Sequence, residues 1–184
     1  TDTGDNPFKK KEVRQALYQA IDIEAIKKKV MRGLSEPAGI ITFPGVNGYT
    51  KELDARLPYD VDAAKKLLAD AGYPNGFDVE LRCPNDRYVN DEAICTAVVG
   101  MLGKIGVNVS LFAQTKSKHF KELKDNQGDF YMLGWGVPTL DSHYVFHYLY
   151  ESGASWNKVN FSNSDVDAAI RVMEGEVDLE KRNE

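Results

Sequence analysis

The 184-residue sequence has no long hydrophobic run, since no stretch approaches the roughly 18 consecutive apolar residues that a membrane-spanning helix requires. It also has no excess of basic residues: 23 lysines and arginines stand against 28 aspartates and glutamates, so the formal net charge is −5. An acidic chain of this kind is not expected to bind nucleic acid. The two lysine runs at 9–11 and 27–29 lie in helical contexts and are interpreted as solvated faces.

Signature motifs of several enzyme classes are missing as well. The chain contains no G-x-S-x-G nucleophile motif, no phosphate-binding Walker loop and no dinucleotide-binding fingerprint. Neither of the two cysteines stands in a motif typical of a catalytic nucleophile. We therefore predict a protein that is not an enzyme and that uses no cofactor.

The two ends of the sequence carry neither an initiator methionine nor a signal peptide. The chain opens on the polar residues 1–8 and closes on residues 178–184, whose composition is typical of a helix that has only begun. We accordingly expect residues 1–184 to form a single domain from a longer chain. Any function inferred from them is then half of a function.

An alternation of helical and strand patterns fills the rest of the chain. Asp22 and Asp60 stand where they cap two of the early helices, and Asn90 and Ser164 stand before two later ones. Strand, helix, strand, helix, strand is the order that builds an α/β fold with a mostly parallel sheet flanked by helices. The helical patterns cover 11–21, 23–34, 61–72, 91–105, 116–126 and 164–176, and the strand patterns cover 77–83, 107–113 and 129–135.

This order predicts where a ligand would bind. In open α/β sheets, ligands collect outside the carboxyl ends of the strands, where loops and helix N-termini converge. The loops at these ends are 84–90, 114–117 and 134–142, of which the last belongs to this edge only if the third strand runs parallel to the others.

The first of these loops offers Asn85, Asp86, Arg87 and Tyr88. The set combines both signs of charge with an amide and with an aromatic face that has a polar tip, and it would suit a small zwitterionic ligand. The alternative is an ordinary helix N-terminus with Asx-type turns, which Asn85 and Asn90 favour in any case.

Two further candidates lie in the loop 134–142 and the helix after it. Trp135, between two glycines, is either a core residue or a wall on which a ligand stacks. His143 and His147 are spaced i, i+4 and, with Asp141, have the residue types of a metal site. The glutamate of an H-E-x-x-H motif is missing and aromatic residues flank both histidines, so packing or capping is favoured and we expect no metal ligands here.

Cys83 and Cys95 are the two cysteines of the chain. One ends the first predicted strand and the other lies early in the following helix, so a disulfide bridge is geometrically possible. Two reduced, buried thiols are the alternative, and the choice depends on the redox compartment of the protein.

Taken together, four segments resemble one family, the extracytoplasmic solute-binding proteins of ABC importers, specifically the oligopeptide/dipeptide/nickel-binding family. No single segment is decisive, but the four occur in the order and at the spacing of that family and span almost the whole chain. They are residues 6–22, 59–81, 128–136 and 160–182.

The resemblance implies a three-layer-like lobe of the periplasmic binding protein type II kind, here the distal lobe of a two-lobed protein. It implies a ligand, a peptide or a similar small polar solute, held in the cleft between this lobe and the missing lobe of the same chain and delivered to the permease subunits of the transporter. It also implies export to the periplasm or the cell surface, which favours a Cys83–Cys95 disulfide. The loop "CPNDRY" is then expected to face the cleft.

One position departs from the family pattern. Peptide binders of the family often carry an aspartate three residues after the strand-end tryptophan, and this chain has Pro138 there. We therefore expect either that Asp86 or Asp141 pairs with a ligand ammonium group, or that the ligand has no such group, so the sequence supports an importer binding protein better than it supports a peptide ligand. Arg87 is expected to hold a carboxylate.

Tyr88 and Trp135 are expected to pack on the apolar parts of the ligand. Two interpretations from other classes stay open. One is a metal-dependent hydrolase that uses His143 and His147, and the other is an interaction domain without a ligand.

Overall fold

The structure is a computed structural model that describes residues 6–183; residues 1–5 and 184, at the two ends considered above, lie outside the described part. The chain divides into two compact units. The first unit comprises residues 1–37 and 57–133, and the second comprises residues 38–56 and 134–184. Within residues 6–183, none of the helices combines the length and the apolar character needed to cross a bilayer.

The secondary structure follows the predicted order. A short 3₁₀ turn at Pro7–Lys9 precedes the first helix. The helices are α1 (Lys11–Ala20), α2 (Ile23–Ala25, continued by a π-helical turn at Ile26–Val30), α3 (Val61–Asp70), α4 (Asp91–Gly103), α5 (Lys116–Lys124), α6 (His143–Leu149), α7 (Ser164–Gly175) and α8 (Leu179–Asn183). The strands are β1 (Phe77–Pro84), β2 (Val107–Gln114) and β3 (Phe130–Tyr131).

A three-stranded sheet in the order β2-β1-β3 forms the centre of the first unit. Phe77 stands opposite Val107 in one pair and Leu81 stands opposite Phe130 in the other, and both pairs are parallel. The predicted α/β class with a parallel sheet is therefore confirmed, and so is the direction of the third strand. The third strand is shorter than its sequence pattern indicates.

The sheet forms here because its strands alternate in polarity. In β1, Val79, Leu81 and Cys83 are buried while Asp78 is exposed, which gives one face to the core. Gly76 leads into β1 with φ 74°, and a Cβ atom there would lie 1.8 Å from the carbonyl oxygen of Gly106. Only glycine permits this close approach of the segments that precede β1 and β2.

Helices cover the buried side of the sheet in the first unit. Helix α1 packs against α3, and α4 packs against β1 and β2. The fully buried side chains of Val13, Leu68, Leu102 and Val107 meet in one aliphatic cluster. Asp60 accepts hydrogen bonds from the backbone N–H groups of residues 62 and 63, so the predicted cap of α3 is confirmed.

Three local predictions are wrong. The segment predicted as one helix over 23–34 becomes π-helical and ends at Val30, where Met31 N donates to Ile26 O at 3.0 Å. Asn90 precedes α4 in a left-handed conformation with φ 56° and makes no capping bond. Ser164 is the first residue of α7, so Asn163 caps this helix in place of Ser164.

The second unit is small and rich in aromatic residues. Val46, Val137 and Val145 form its buried apolar cluster, against which Trp135 and Tyr144 pack. Backbone pairing of Asn47 with Asp141 holds the segment before α6 to the loop 38–56. The short helix α8 ends the described part of this unit.

Candidate functional site

The loop 84–91, which connects β1 to α4, is organised by a buried carboxylate. The side chain of Asp91 accepts hydrogen bonds from the backbone N–H groups of Arg87 and Tyr88 at 3.0 Å each and of Glu92 at 2.9 Å. Burial opposes ionisation of Asp91, but these N–H groups outweigh it and its pKa is lowered. A single ionised side chain therefore holds the backbone at residues 87, 88 and 92.

The predicted ligand-binding side chains of this loop point to the surface. Asn85, Asp86 and Arg87 are exposed, and Tyr88 is half-buried. The guanidinium carbon of Arg87 lies 5.0 Å from the centre of the Tyr88 ring, a cation–π distance. Within residues 6–183 the guanidinium group makes no hydrogen bond or ion pair, so its donors are available to a ligand.

The carboxyl ends of β1 and β2 converge as predicted. Lys116 N donates to Asp86 Oδ1 at 2.5 Å, and Asn85 N donates to Gln114 O at 2.9 Å. One oxygen of Asp86 is thus engaged by the N-terminal residue of α5. The predicted loops 84–90 and 114–117 lie side by side at this edge of the first unit.

A disulfide bond joins the two ends of the same region. Cys83 at the end of β1 is bonded to Cys95 in α4, with the two Cα atoms 6.6 Å apart. The sulfur of Met132 lies 3.6 Å from that of Cys95. The disulfide expected from the family resemblance is confirmed, and it encloses the loop 84–91 between its two cysteines.

A buried histidine next to this edge was not predicted. His119 in α5 is fully buried, and its Nε2 atom lies 3.0 Å from the carbonyl oxygen of Met132. Burial lowers the pKa of His119 below its ordinary value of 6.5, although the Met132 carbonyl acts in the opposite direction. Its sequence setting, "KSKHFKELK", gives no sign of burial apart from the apolar residue beside it.

Trp135 belongs to the second unit, where it lies in an aromatic cluster. Its ring centre is 6.1 Å from that of Tyr144, 6.0 Å from that of Tyr148 and 6.0 Å from that of Trp156. The residue is half-buried, and its buried Nε1 atom has no hydrogen-bond partner among residues 6–183. The core interpretation accounts for this packing, and a stacking contact with a ligand stays a prediction.

Asp141, also in the second unit, is engaged by three neighbouring residues. Its Oδ1 accepts from His143 N and Arg182 Nη2, and its Oδ2 accepts from Asn47 Nδ2 and Arg182 Nε. The Arg182 bonds are the main reason that the pKa of Asp141 is lowered from its ordinary value of 3.8. These contacts show a bridging role within the unit, and a contact with a ligand ammonium stays a prediction.

His143 and His147 lie beside a carboxylate that was not predicted. Their rings stack with centres 5.5 Å apart. His143 Nε2 lies 3.7 Å and His147 Nδ1 lies 3.9 Å from Oε1 of Glu174 in α7. Asp141 is engaged with Arg182, so Glu174 takes the place that the sequence suggested for Asp141. Glu174 is distant from both histidines in the sequence, so no local pattern indicates this contact.

The six predicted ligand-binding residues fall into two groups. Asn85, Asp86, Arg87 and Tyr88 lie together in the first unit, while Trp135 and Asp141 lie in the second. That one ligand contacts all six residues stays a prediction.

A polar loop presented by the carboxyl ends of parallel strands is the arrangement that α/β proteins use to bind small solutes. The family described as "Bacterial extracellular solute-binding proteins, family 5 Middle" matches residues 1–157. The chain belongs to this family of solute-binding proteins. The resemblance inferred from the four sequence segments is thereby confirmed.

Three similar proteins illustrate the range of ligands. Heme-binding protein A of Haemophilus influenzae is 30% identical over 96% of this chain and 33% of its own length. The PBP AgaA of A. tumefaciens R10, solved in complex with agropinic acid, is 30% identical with a TM-score of 0.84 over 96% of this chain and 37% of that one. A dipeptide-binding protein from Pseudoalteromonas sp. SM9913, solved with Met-Leu, is 29% identical with a TM-score of 0.88 over 99% of this chain and 37% of that one.

The chain spans about a third of the length of the curated relatives it matches. These relatives are binding proteins by name. The fold is that of the matched solute-binding proteins over nearly the whole chain.

Proposed function

We propose that this chain is one lobe of the substrate-binding component of an ABC importer, and that the complete protein delivers a small polar solute to the permease subunits of the transporter. The observation that carries the proposal is the family match over residues 1–157. The fold agreement with a dipeptide-bound relative, at a TM-score of 0.88, supports it. A periplasmic or cell-surface location follows from the same role.

The proposed mechanism involves binding and closure without chemical conversion of the solute. The ligand contacts both lobes of the complete protein and thereby favours the closed state that the transporter recognises. This chain, comprising residues 1–184, contributes one side of that cleft, and the lobe absent from it contributes the other.

Arg87 is proposed as the main ligand contact of this lobe. Its guanidinium group is exposed, lies against Tyr88 and has all its donors available within residues 6–183. Its backbone is held by Asp91, so little conformational freedom of the loop is lost on binding. A planar guanidinium group recognises a carboxylate through two parallel hydrogen bonds. We therefore propose a carboxylate-bearing ligand, such as a peptide.

We propose three further ligand contacts in the first unit, Asn85, Asp86 and Tyr88. Asp86 keeps one carboxylate oxygen beyond the one that Lys116 N engages, and this oxygen can accept from a ligand ammonium. Asn85 offers an exposed amide and Tyr88 an apolar ring face.

Trp135 and Asp141 are proposed as contacts from the second unit. Leu140, between them, has φ 53°, an unusual value for a residue with a branched side chain. The carbonyl of Leu140 accepts from Asn47 N at 2.8 Å, which holds this conformation. Strained backbone of this kind tends to persist where a loop is shaped for a ligand.

The experiment is calorimetric titration of the complete protein with Met-Leu and a panel of di- to pentapeptides. Arg87→Ala should weaken binding roughly tenfold or more, since a hydrogen-bonded charge pair contributes about 1.5–3 kcal/mol. Arg171→Ala is the matched control, because Arg171 is an exposed arginine on α7 outside the proposed site. Native mass spectrometry of the purified protein would identify a ligand that the panel lacks.

Two results would contradict the proposal. Unchanged affinity of the Arg87→Ala variant for every ligand that the parent protein binds would remove the proposed contact. Micromolar or tighter binding by the 184-residue chain alone would show that the site is complete without a second lobe.

A further inference from the structure

Two imidazole nitrogens in the second unit face one carboxylate oxygen. His143, His147 and Glu174 each offer one ligand atom, and these three atoms lie within 4.8 Å of one another. The nitrogens come from successive turns of α6, and the carboxylate comes from α7. Three atoms that commonly ligate transition metals are thus gathered on one face of the second unit.

Both nitrogens are shielded from solvent and lack a hydrogen-bond partner among residues 6–183. Unsatisfied buried polar atoms are uncommon in folded proteins, and a bound ion or water molecule is an established explanation for them. Glu151 lies on the same side, with its Oε2 atom in an ion-pair contact 2.7 Å from His147 Nδ1. Two carboxylates therefore surround two imidazoles, which gives the cluster a negative charge when the histidines are neutral.

The three ligand atoms must move closer together to bind a metal ion. In a tetrahedral zinc site with bonds of about 2.0–2.1 Å, neighbouring ligand atoms lie about 3.3 Å apart. The Glu174 oxygen is 3.7 Å from one nitrogen and 3.9 Å from the other. The Glu174 side chain is 48% exposed and can rotate to shorten both distances, while the two nitrogens would have to approach each other through changes in the histidine side chains.

The site is held in place from outside the cluster. Asp141 accepts from His143 N at the start of α6, and the same carboxylate is paired with Arg182. The two imidazole rings are stacked with their planes 15° apart. Asp141 therefore positions the first turn of α6, and Glu174 is the proposed carboxylate ligand.

We propose that His143, His147 and Glu174 bind a divalent transition-metal ion of the zinc class, which links α6 to α7. Imidazole and carboxylate together favour zinc, copper or nickel over magnesium and calcium. Glu151 is the candidate fourth ligand, and a water molecule is the alternative at that position. The sequence favoured packing or capping for the two histidines because the glutamate of H-E-x-x-H is missing between them; the carboxylate comes instead from a different helix.

The test is calorimetric titration of Zn²⁺ into untagged, chelator-treated protein. One ion per chain with a dissociation constant of roughly 10 µM or below is expected. His143→Gln, His147→Gln and Glu174→Gln should each weaken binding roughly tenfold or more, and Glu151→Gln less. Asp165→Asn is the matched control, because it removes an exposed carboxylate from the first turn of α7 and should leave binding unchanged.

Visible absorption of the Co²⁺-loaded protein provides a second measurement that does not depend on stability. A four-coordinate site gives intense bands that Glu174→Gln should weaken or shift, and circular dichroism would show that each variant is folded. Binding weaker than about 1 mM, or micromolar binding that survives both His147→Gln and Glu174→Gln, would overturn the proposal.

Discussion

The two units of this chain are stabilised in different ways. Among residues 6–183, the buried apolar cluster of the first unit contains 15 residues, most of them aliphatic, whereas that of the second contains Val46, Val137 and Val145. The second unit relies in addition on aromatic side chains and on a polar network around Asp141. Burial of apolar surface contributes about 25 cal/mol per Å², so the larger aliphatic core is expected to give the first unit the greater local stability.

The polar network of the second unit ties distant segments together. Arg182 in α8 is bonded to Asp141, and the Asn183 side chain donates to Asn47 Oδ1 at 3.0 Å. A helix of five residues is too short to be stable alone, so α8 depends on these contacts. The comparison is thus between a unit that packing stabilises and a unit that hydrogen-bonded charge stabilises.

Truncation of the aliphatic core should have the largest effect. Leu102 is fully buried in the first unit, and Leu102→Ala should lower the free energy of unfolding by about 2–5 kcal/mol, because it leaves a cavity. Val145→Ala is the matched change in the second unit and should cost less, because fewer buried atoms are removed. Urea denaturation gives the free energy, and amide hydrogen exchange shows which unit opens.

Both tryptophans, Trp135 and Trp156, belong to the second unit, so their fluorescence reports on that unit. In the Leu102→Ala variant, amide hydrogen exchange in the first unit should become faster. The urea midpoint of tryptophan fluorescence should change less. Equal shifts by both probes would indicate one cooperative transition and would remove the distinction between the units.

Loss of the disulfide should have the next largest effect. Cys83 and Cys95 are 12 residues apart, and closing a loop of that length contributes about 3 kcal/mol in the chain-entropy model. A Cys83→Ala/Cys95→Ala variant should therefore unfold at lower urea concentration, with faster exchange in the loop 84–91. The variant should be insensitive to reductant, whereas the parent protein should lose similar stability on reduction. A parent protein whose stability reductant leaves unchanged would contradict this prediction.

The sequence predicted the first unit better than the second because periodic patterns report local structure. Alternation in β1 and helical spacing in α1 identified the sheet and its helices, and Asp22 caps its helix as expected. Asn90 was mispredicted because a residue type that favours capping also tolerates the left-handed conformation observed. The buried Asp91, one position later, organises the loop instead.

Sequence patterns did not predict contacts between residues that are distant in the chain. Asp141 and Arg182 are 41 residues apart, and nothing local to either residue indicates the pair. The same holds for Glu174 beside His143 and His147. The ligand contacts proposed in the loop 84–91 are contiguous, so their position at the end of a strand was sufficient to select them as candidates, and their role stays a prediction.

The substitution Asp141→Asn should have the smallest effect on stability. It should also distinguish the two units best. The folded-state pKa of the Asp141 carboxylate is lowered, first by Arg182, so the stability it contributes is present above its unfolded pKa and is lost as the pH falls through the folded value. Both partners are largely buried, with exposed fractions of 15% and 21%, and Asp141→Asn should cost about 2 kcal/mol at pH 7.

The measurement is the urea midpoint of tryptophan fluorescence at pH 7 and at pH 3. The difference between the parent protein and Asp141→Asn should narrow at the lower pH, because below the unfolded pKa the carboxyl of the unfolded chain takes up its proton before that of the folded chain. Asp91, in the first unit, also has a carboxylate with a lowered pKa. The substitution Asp91→Asn should instead change amide hydrogen exchange in the loop 84–91. A midpoint difference for Asp141→Asn that is the same at both pH values would show that the ionised pair does not stabilise the second unit, and packing would then be the common basis of both units.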